Sequence, residues 1–188
     1  MEAAAFNDNF TETELKVLAF VTEKHGQQKR KYTHEPYVNH LVRVALKVKE
    51  YTQDSRMVMA ALCHDVLEDT ECTVAELYQF LIGINLTDAD SDYICFLVKE
   101  LTDVFTSDAY PQFNRKARKE LEANRLWEIS PEAQTIKYAD LIDNTTSIVQ
   151  HGGGFAKVYL KEKKRILTKM DKGNLELYQI VSSIIEIV

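Results

Sequence analysis

Between its few glycines and prolines the chain repeats apolar residues at the spacing of a helix face, not at the alternating spacing of a half-buried strand. The pattern predicts an all-α fold of about nine helices, near residues 12–25, 37–51, 54–68, 73–83, 88–105, 112–125, 132–149, 155–170 and 174–186. Several starts carry local signals. Thr11 with Glu14, and Thr73 with Glu76, each fit a capping box, in which two side chains satisfy the free amides that begin a helix. Ser130 followed by Pro131 is a cap residue and then a proline whose missing amide hydrogen costs nothing in a first turn. The break at His151-Gly152-Gly153-Gly154 is too short for an interdomain linker and lacks the lysine of a P-loop, so it reads as a helix connection.

Met57 to Cys63, MVMAALC, is apolar all round, which on a helix means burial on every side. It runs directly into His64-Asp65-Val66-Leu67-Glu68-Asp69. Ionisable groups at the end of a buried helix are costly unless they are paired or bound to a metal. On one continuous helix His64 lies a turn from Glu68, and Asp65 a turn from Asp69, so the four can converge on an ion and its water.

Composition narrows the setting. The 188 residues suit one domain spanning the chain, and 45% hydrophobic with 28% charged residues suits a globular body. A formal net charge of -6 argues against nucleic acid as a partner, so any phosphate site has to be built locally. Cys63, Cys72 and Cys95 are odd in number and lack C-x-x-C spacing. The opening MEAAAFNDNF carries no targeting pattern, and no apolar run approaches the roughly 20 residues of a membrane span. A cytoplasmic protein with no membrane partner is expected, and the composition is compatible with a homo-oligomer.

Two more residues join the candidate chemistry. His40 follows Pro36-Tyr37-Val38-Asn39 at the start of a predicted helix, and Asp140 shares a helical face with Asn144. Taken alone, the first reads as a packed histidine and the second as part of a solvated acidic patch. Together with His64 and Asp65 they make a mixed nitrogen and oxygen set suited to manganese, iron or zinc rather than calcium. Such an ion lowers the pKa of a bound water and polarises a phosphoryl oxygen, while Glu68 and Asp69 handle protons. Phosphoester or pyrophosphate hydrolysis is the expected reaction class.

The order His, His-Asp, Asp resembles the HD superfamily, and His64-Asp-Val-Leu-Glu-Asp-Thr70 resembles the HDxxEDT box of the RelA/SpoT alarmone hydrolases. Lys29-Arg30-Lys31 with Pro36-Tyr-Val-Asn-His40 is similar to that family's basic segment and PYxNH motif, and Lys137-Tyr-Ala-Asp140 with Asn144 to its KxAD…N motif. The resemblance covers residues 15–170 or so and implies an HD-type helical bundle. It implies that His40, His64, Asp65 and Asp140 hold manganese and that Glu68 and Asp69 orient or activate water. It also implies that Arg30 and Lys31 meet substrate phosphates, Tyr37 the guanosine region, and Asn144 the sugar or its 3′ phosphate. The implied reaction takes guanosine 5′-diphosphate 3′-diphosphate to GDP and pyrophosphate. Asn114-Arg115-Lys116-Ala117-Arg118-Lys119, after Glu100-Leu-Thr-Asp103, reads equally as a second basic substrate segment or as a solvated helix face. Leu41 stands where the family usually has proline, and residues 104–113 diverge from its pattern. Other readings stay open: hydrolysis of NADPH at its 2′-phosphate or of a nucleoside monophosphate, or a helical module that senses a nucleotide without turnover.

Overall fold

The computed structural model describes residues 8–187, without the side chain of Ile187. Most of the opening segment read for a targeting signal lies outside them. The described residues form helices joined by turns, with no β-sheet; an isolated bridge pairs Lys29 with Pro36. No helix among them is long and apolar enough to cross a membrane. The expected all-α class is what the chain adopts. Its helices group into two compact units, one ending at Leu101 and the other beginning at Thr102.

The first unit holds α1 (Glu12–His25), α2 (Val38–Lys49), α3 (Ser55–Cys63), α4 (Val66–Asp69), α5 (Val74–Gly83) and α6 (Asp88–Leu101). α3 is its centre, packed against α1, α2 and α6. All of Met57 to Cys63 is buried, as an all-round apolar helix requires. The capping box at α1 forms on both sides: the Thr11 amide donates to Glu14 Oε2 at 2.8 Å, and the Glu14 amide to Thr11 Oγ1 at 3.3 Å. Glu14 is itself buried and accepts from Lys49 Nζ and Ser55 Oγ, both at 2.7 Å, so one carboxylate joins α1 to the end of α2 and the start of α3. Burial pushes that carboxyl up, but its bonds to Lys49, Thr11 and Ser55 outweigh burial and hold it below the usual range.

One expected helix differs. Residues 54–68 are two helices, α3 and α4, with His64 and Asp65 in the turn between them. Asp65 sits at φ -103°, ψ -1°, off the regular α-helical geometry of about -63°, -42°. The helix expected to run to residue 105 also stops at Leu101.

The second unit holds α7 (Arg115–Glu128), α8 (Pro131–His151), α9 (Phe155–Leu167) and α10 (Leu175–Ile187). α8 packs against α9 and α10, and α7 against α9. Ser130 caps α8 through the Ala133 amide at 3.2 Å, and Pro131 is the first helical residue. The glycine triplet connects α8 to α9: Gly152 donates its amide to Ile148, and Gly153 takes φ 53°, a conformation that favours glycine. The buried Glu122 accepts from the amides of Val104 and Phe105 at 3.2 Å each and fixes the segment that follows Asp103.

Candidate metal centre

The turn between α3 and α4 and the first turn of α2 bring His40, His64 and Asp65 together, with one ligand atom from each within 4.8 Å of the others. Both histidines are buried, at 0% and 1% exposure. His64 Nδ1 lies 2.8 Å from the Ala61 carbonyl oxygen. A carbonyl only accepts, so Nδ1 carries the proton and, in the neutral ring, Nε2 presents its lone pair. That Nε2 faces Asp65 Oδ2 at 3.0 Å, and His40 Nε2 faces the same oxygen at 3.5 Å. A lone pair turned on a carboxylate is repelled by it unless a proton or a cation lies between them. Two imidazole nitrogens and a carboxylate oxygen are a donor set that suits a divalent transition metal, so the residues fit such an ion.

Tyr37 sits against this cluster. Its hydroxyl donates to Asp65 Oδ2 at 2.7 Å, its ring stacks on His25 with centroids 5.0 Å apart, and the Arg30 guanidinium lies 5.6 Å from its ring centroid. The residue expected at the guanosine region therefore also holds an expected metal ligand. Arg30 is half-buried, while Lys31 is exposed with its ammonium 5.5 Å from the ring of Tyr32. Glu68 and Asp69 are exposed on α4, and Asp69 Oδ2 accepts from Gln28 Nε2 at 2.9 Å.

Asp140 and Asn144 belong to the second unit. Lys137, Asp140 and Asn144 share one face of α8: Lys137 Nζ is 2.9 Å from Asp140 Oδ2, and Asn144 donates to Asp140 Oδ1. Asp140 and Lys137 are buried, at 4% and 9% exposure, so the solvated acidic patch is not what α8 presents here. Near them Asp103 is bonded to Lys119 at 3.1 Å. Burial pushes the Asp103 carboxyl up, and the charges of Lys137, Lys119 and Lys163 overcome this and hold it below its ordinary value. Lys163 is pulled down to about 8, by burial first and then by Lys137 and Lys119, against the opposing pull of Asp140 and Asp103.

The basic segment at the start of α7 lines a groove of about 400 Å³ with α9, where Arg115, Lys116 and Lys119 meet Lys161 and Arg165. Arg115 forms a two-pronged pair with Glu162 at 2.9 and 2.8 Å. Three residues that neighbour these groups give little signal in the sequence. Lys163 lies in a charged helical run and looks like a solvated face; His25 and Gln28 lie in an unremarked turn, although His25-Gly-Gln-Gln28 stands immediately before the basic segment.

Comparison with known proteins bears on this arrangement. Residues 18–126 match the HD domain model. The chain is 35% identical over 133 residues to the guanosine-3′,5′-bis(diphosphate) 3′-pyrophosphohydrolase MESH1 of Drosophila melanogaster, covering 69% of this chain and 66% of that protein. It is 31% identical over 179 residues to a probable guanosine-3′,5′-bis(diphosphate) 3′-pyrophosphohydrolase of Mycoplasma pneumoniae, covering 92% of this chain but only 23% of that protein. A solved structure described as a metazoan ortholog of SpoT that hydrolyzes ppGpp superposes with a TM-score of 0.78 at 26% identity, covering 94% of this chain and 96% of that one.

Proposed function

The chain belongs to the HD-domain family, and from that membership we propose that it is a manganese-dependent hydrolase of guanosine 5′-diphosphate 3′-diphosphate, releasing GDP and pyrophosphate. The observation that carries this reading is the convergence of His40 and His64 Nε2 on Asp65, in a chain similar to hydrolases of that nucleotide. A divalent cation bound there lowers the pKa of a water and polarises a phosphoryl oxygen. By the family's motif order Asp140 is a further ligand, and the burial of its carboxylate beside Lys137 and Asn144 supports that role.

The chain's own groups do the rest. Glu68 and Asp69 are carboxylates that take the proton of the attacking water and return one to the leaving 3′ oxygen. Water adds to the phosphorus nearest that oxygen, the phosphorus–oxygen bond to the ribose breaks, and the added oxygen leaves with pyrophosphate. Arg30 and Lys31 supply the local positive charge that a highly anionic substrate needs on a protein of net charge -6. Tyr37, in contact with Arg30 and Asp65, is assigned to the guanosine region, and Asn144 to the sugar or its 3′ phosphate. The chain acts as one hydrolase domain in the cytoplasm, where its three free, buried thiols stay reduced.

The test is a substrate panel: chain loaded with manganese is incubated with guanosine tetraphosphate, GTP, NADPH and nucleoside monophosphates, and kcat/KM is compared. Guanosine tetraphosphate is expected to be the preferred substrate. Preference for NADPH or a monophosphate keeps the metal chemistry and replaces the substrate.

A further inference from the structure

Asp69 is an exposed carboxylate at the end of a four-residue helix, yet it accepts a bond at 2.9 Å from Gln28 Nε2, and Gln28 Oε1 lies 2.6 Å from the buried ring of His25. We propose that His25 and Gln28 are positioning residues that hold the Asp69 carboxylate in its working orientation. The inference rests on the proton-handling role given to Asp69 above.

The direction of each bond follows from chemistry. An ionised carboxylate only accepts, so the amide nitrogen of Gln28 faces Asp69 and its carbonyl oxygen faces His25. His25 Nδ1 must then carry a proton. Its Nε2 is buried and has no hydrogen-bond partner among the described residues. An orphaned buried nitrogen is a cost that leucine or phenylalanine at the same place would avoid, and the bond from Nδ1 is what explains a histidine there.

The surroundings fix both residues. His25 ends α1, and its ring lies almost parallel to Tyr37, at 11°. Gln28 is held at both ends of its backbone: its amide donates to the His25 carbonyl at 2.9 Å, and its carbonyl accepts from the Tyr37 amide at 3.0 Å. Gly26, at φ 52°, makes the turn between them. The His25–Tyr37 stack thus reaches two carboxylates: Asp65 through the Tyr37 hydroxyl, and Asp69 through Gln28. An exposed aspartate otherwise spreads over its staggered rotamers, so a fixed donor narrows it to one.

The experiment uses the manganese-loaded chain and whichever nucleotide of the panel it turns over. Gln28→Leu is expected to lower kcat by a factor on the order of 10, with KM and bound manganese unchanged, because position and not binding is lost. Gln28→Glu keeps the shape but removes the donor and should fall as far. His25→Asn keeps a donor near the Nδ1 position and should retain far more turnover than His25→Leu. In an Asp69→Asn background Gln28→Leu should add nothing. A Gln28→Leu loss of equal size in that background overturns the relay and leaves the catalytic reading standing; full turnover in Asp69→Asn alone overturns both. Nitrogen NMR of the imidazole reads the relay without any substrate: a proton on Nδ1 of His25 is expected, and one on Nε2 with Nδ1 bare contradicts it.

Discussion

Only Val66 and Leu67 separate His64 and Asp65 from Glu68 and Asp69 in sequence, but the two pairs stand in different surroundings. His64 is buried with its Nδ1 bonded to a carbonyl, whereas Glu68 and Asp69 are exposed on α4. Replacing His64 or Asp140 by alanine should therefore remove the metal, measured as manganese per chain after dialysis; full occupancy in both variants rejects the ligand assignment. Glu68→Gln and Asp69→Asn should instead keep the ion and lose turnover by a factor on the order of 10² or more, the usual size of positioned acid–base assistance. Arg30→Ala and Lys31→Ala should raise KM with little change in melting temperature, since neither side chain is buried. The histidines and carboxylates were legible because few other uses explain ionisable groups after MVMAALC. His25 and Gln28 were not, because a lone histidine and a glutamine at a turn carry no periodic signal, and their link to Asp69 spans 41 residues between Gln28 and Asp69.

At the scale of elements, the starts of helices were the clearest features, because capping is local chemistry. Thr11 and Ser130 cap where expected, and Thr73 accepts from the Glu76 amide at 3.2 Å. The break at His64–Asp65 was hidden, because apolar periodicity continues through Val66 and nothing in the residue types forbids a helix there. The packing that holds α8 was hidden too. The chain before α10 runs along that helix, with the Lys172 amide on Gln134 Oε1 at 2.8 Å and the Asn174 amide on Thr135 Oγ1 at 2.9 Å. Gly173 lies between these bonds, where an added methyl group would come within 2.5 Å of Tyr138 Cε2 and 2.8 Å of the Thr135 amide nitrogen. Gly173→Ala should cost about 1–3 kcal/mol of stability, as overpacking does. A lower urea midpoint checks this, and an unchanged midpoint shows that the contact gives way freely.

For the whole molecule, the net charge of -6 hides a local basic surface on α7 and α9 and a cluster of charges around Asp140. Lys163 gives that cluster a pH signature. The folded chain releases the Lys163 proton at about 8, whereas an unfolded chain keeps it to the ordinary lysine value of about 10.4. Between those values the unfolded state binds more protons, so this group makes stability rise with pH; below that window its contribution is constant. Buried thiols act in the opposite sense, because burial raises Cys95 to about 11. The readout is therefore the difference in urea midpoint between the natural chain and Lys163→Met, which should grow in favour of the natural chain from about pH 8 to pH 10. A flat difference places the lysine in an ordinary solvated state. The central claim is tested most directly by separating the products formed when the manganese-loaded chain consumes guanosine tetraphosphate. Equal amounts of GDP and pyrophosphate, and neither from the His64→Ala variant, are predicted; orthophosphate in place of pyrophosphate, or no consumption by the loaded chain, contradicts it.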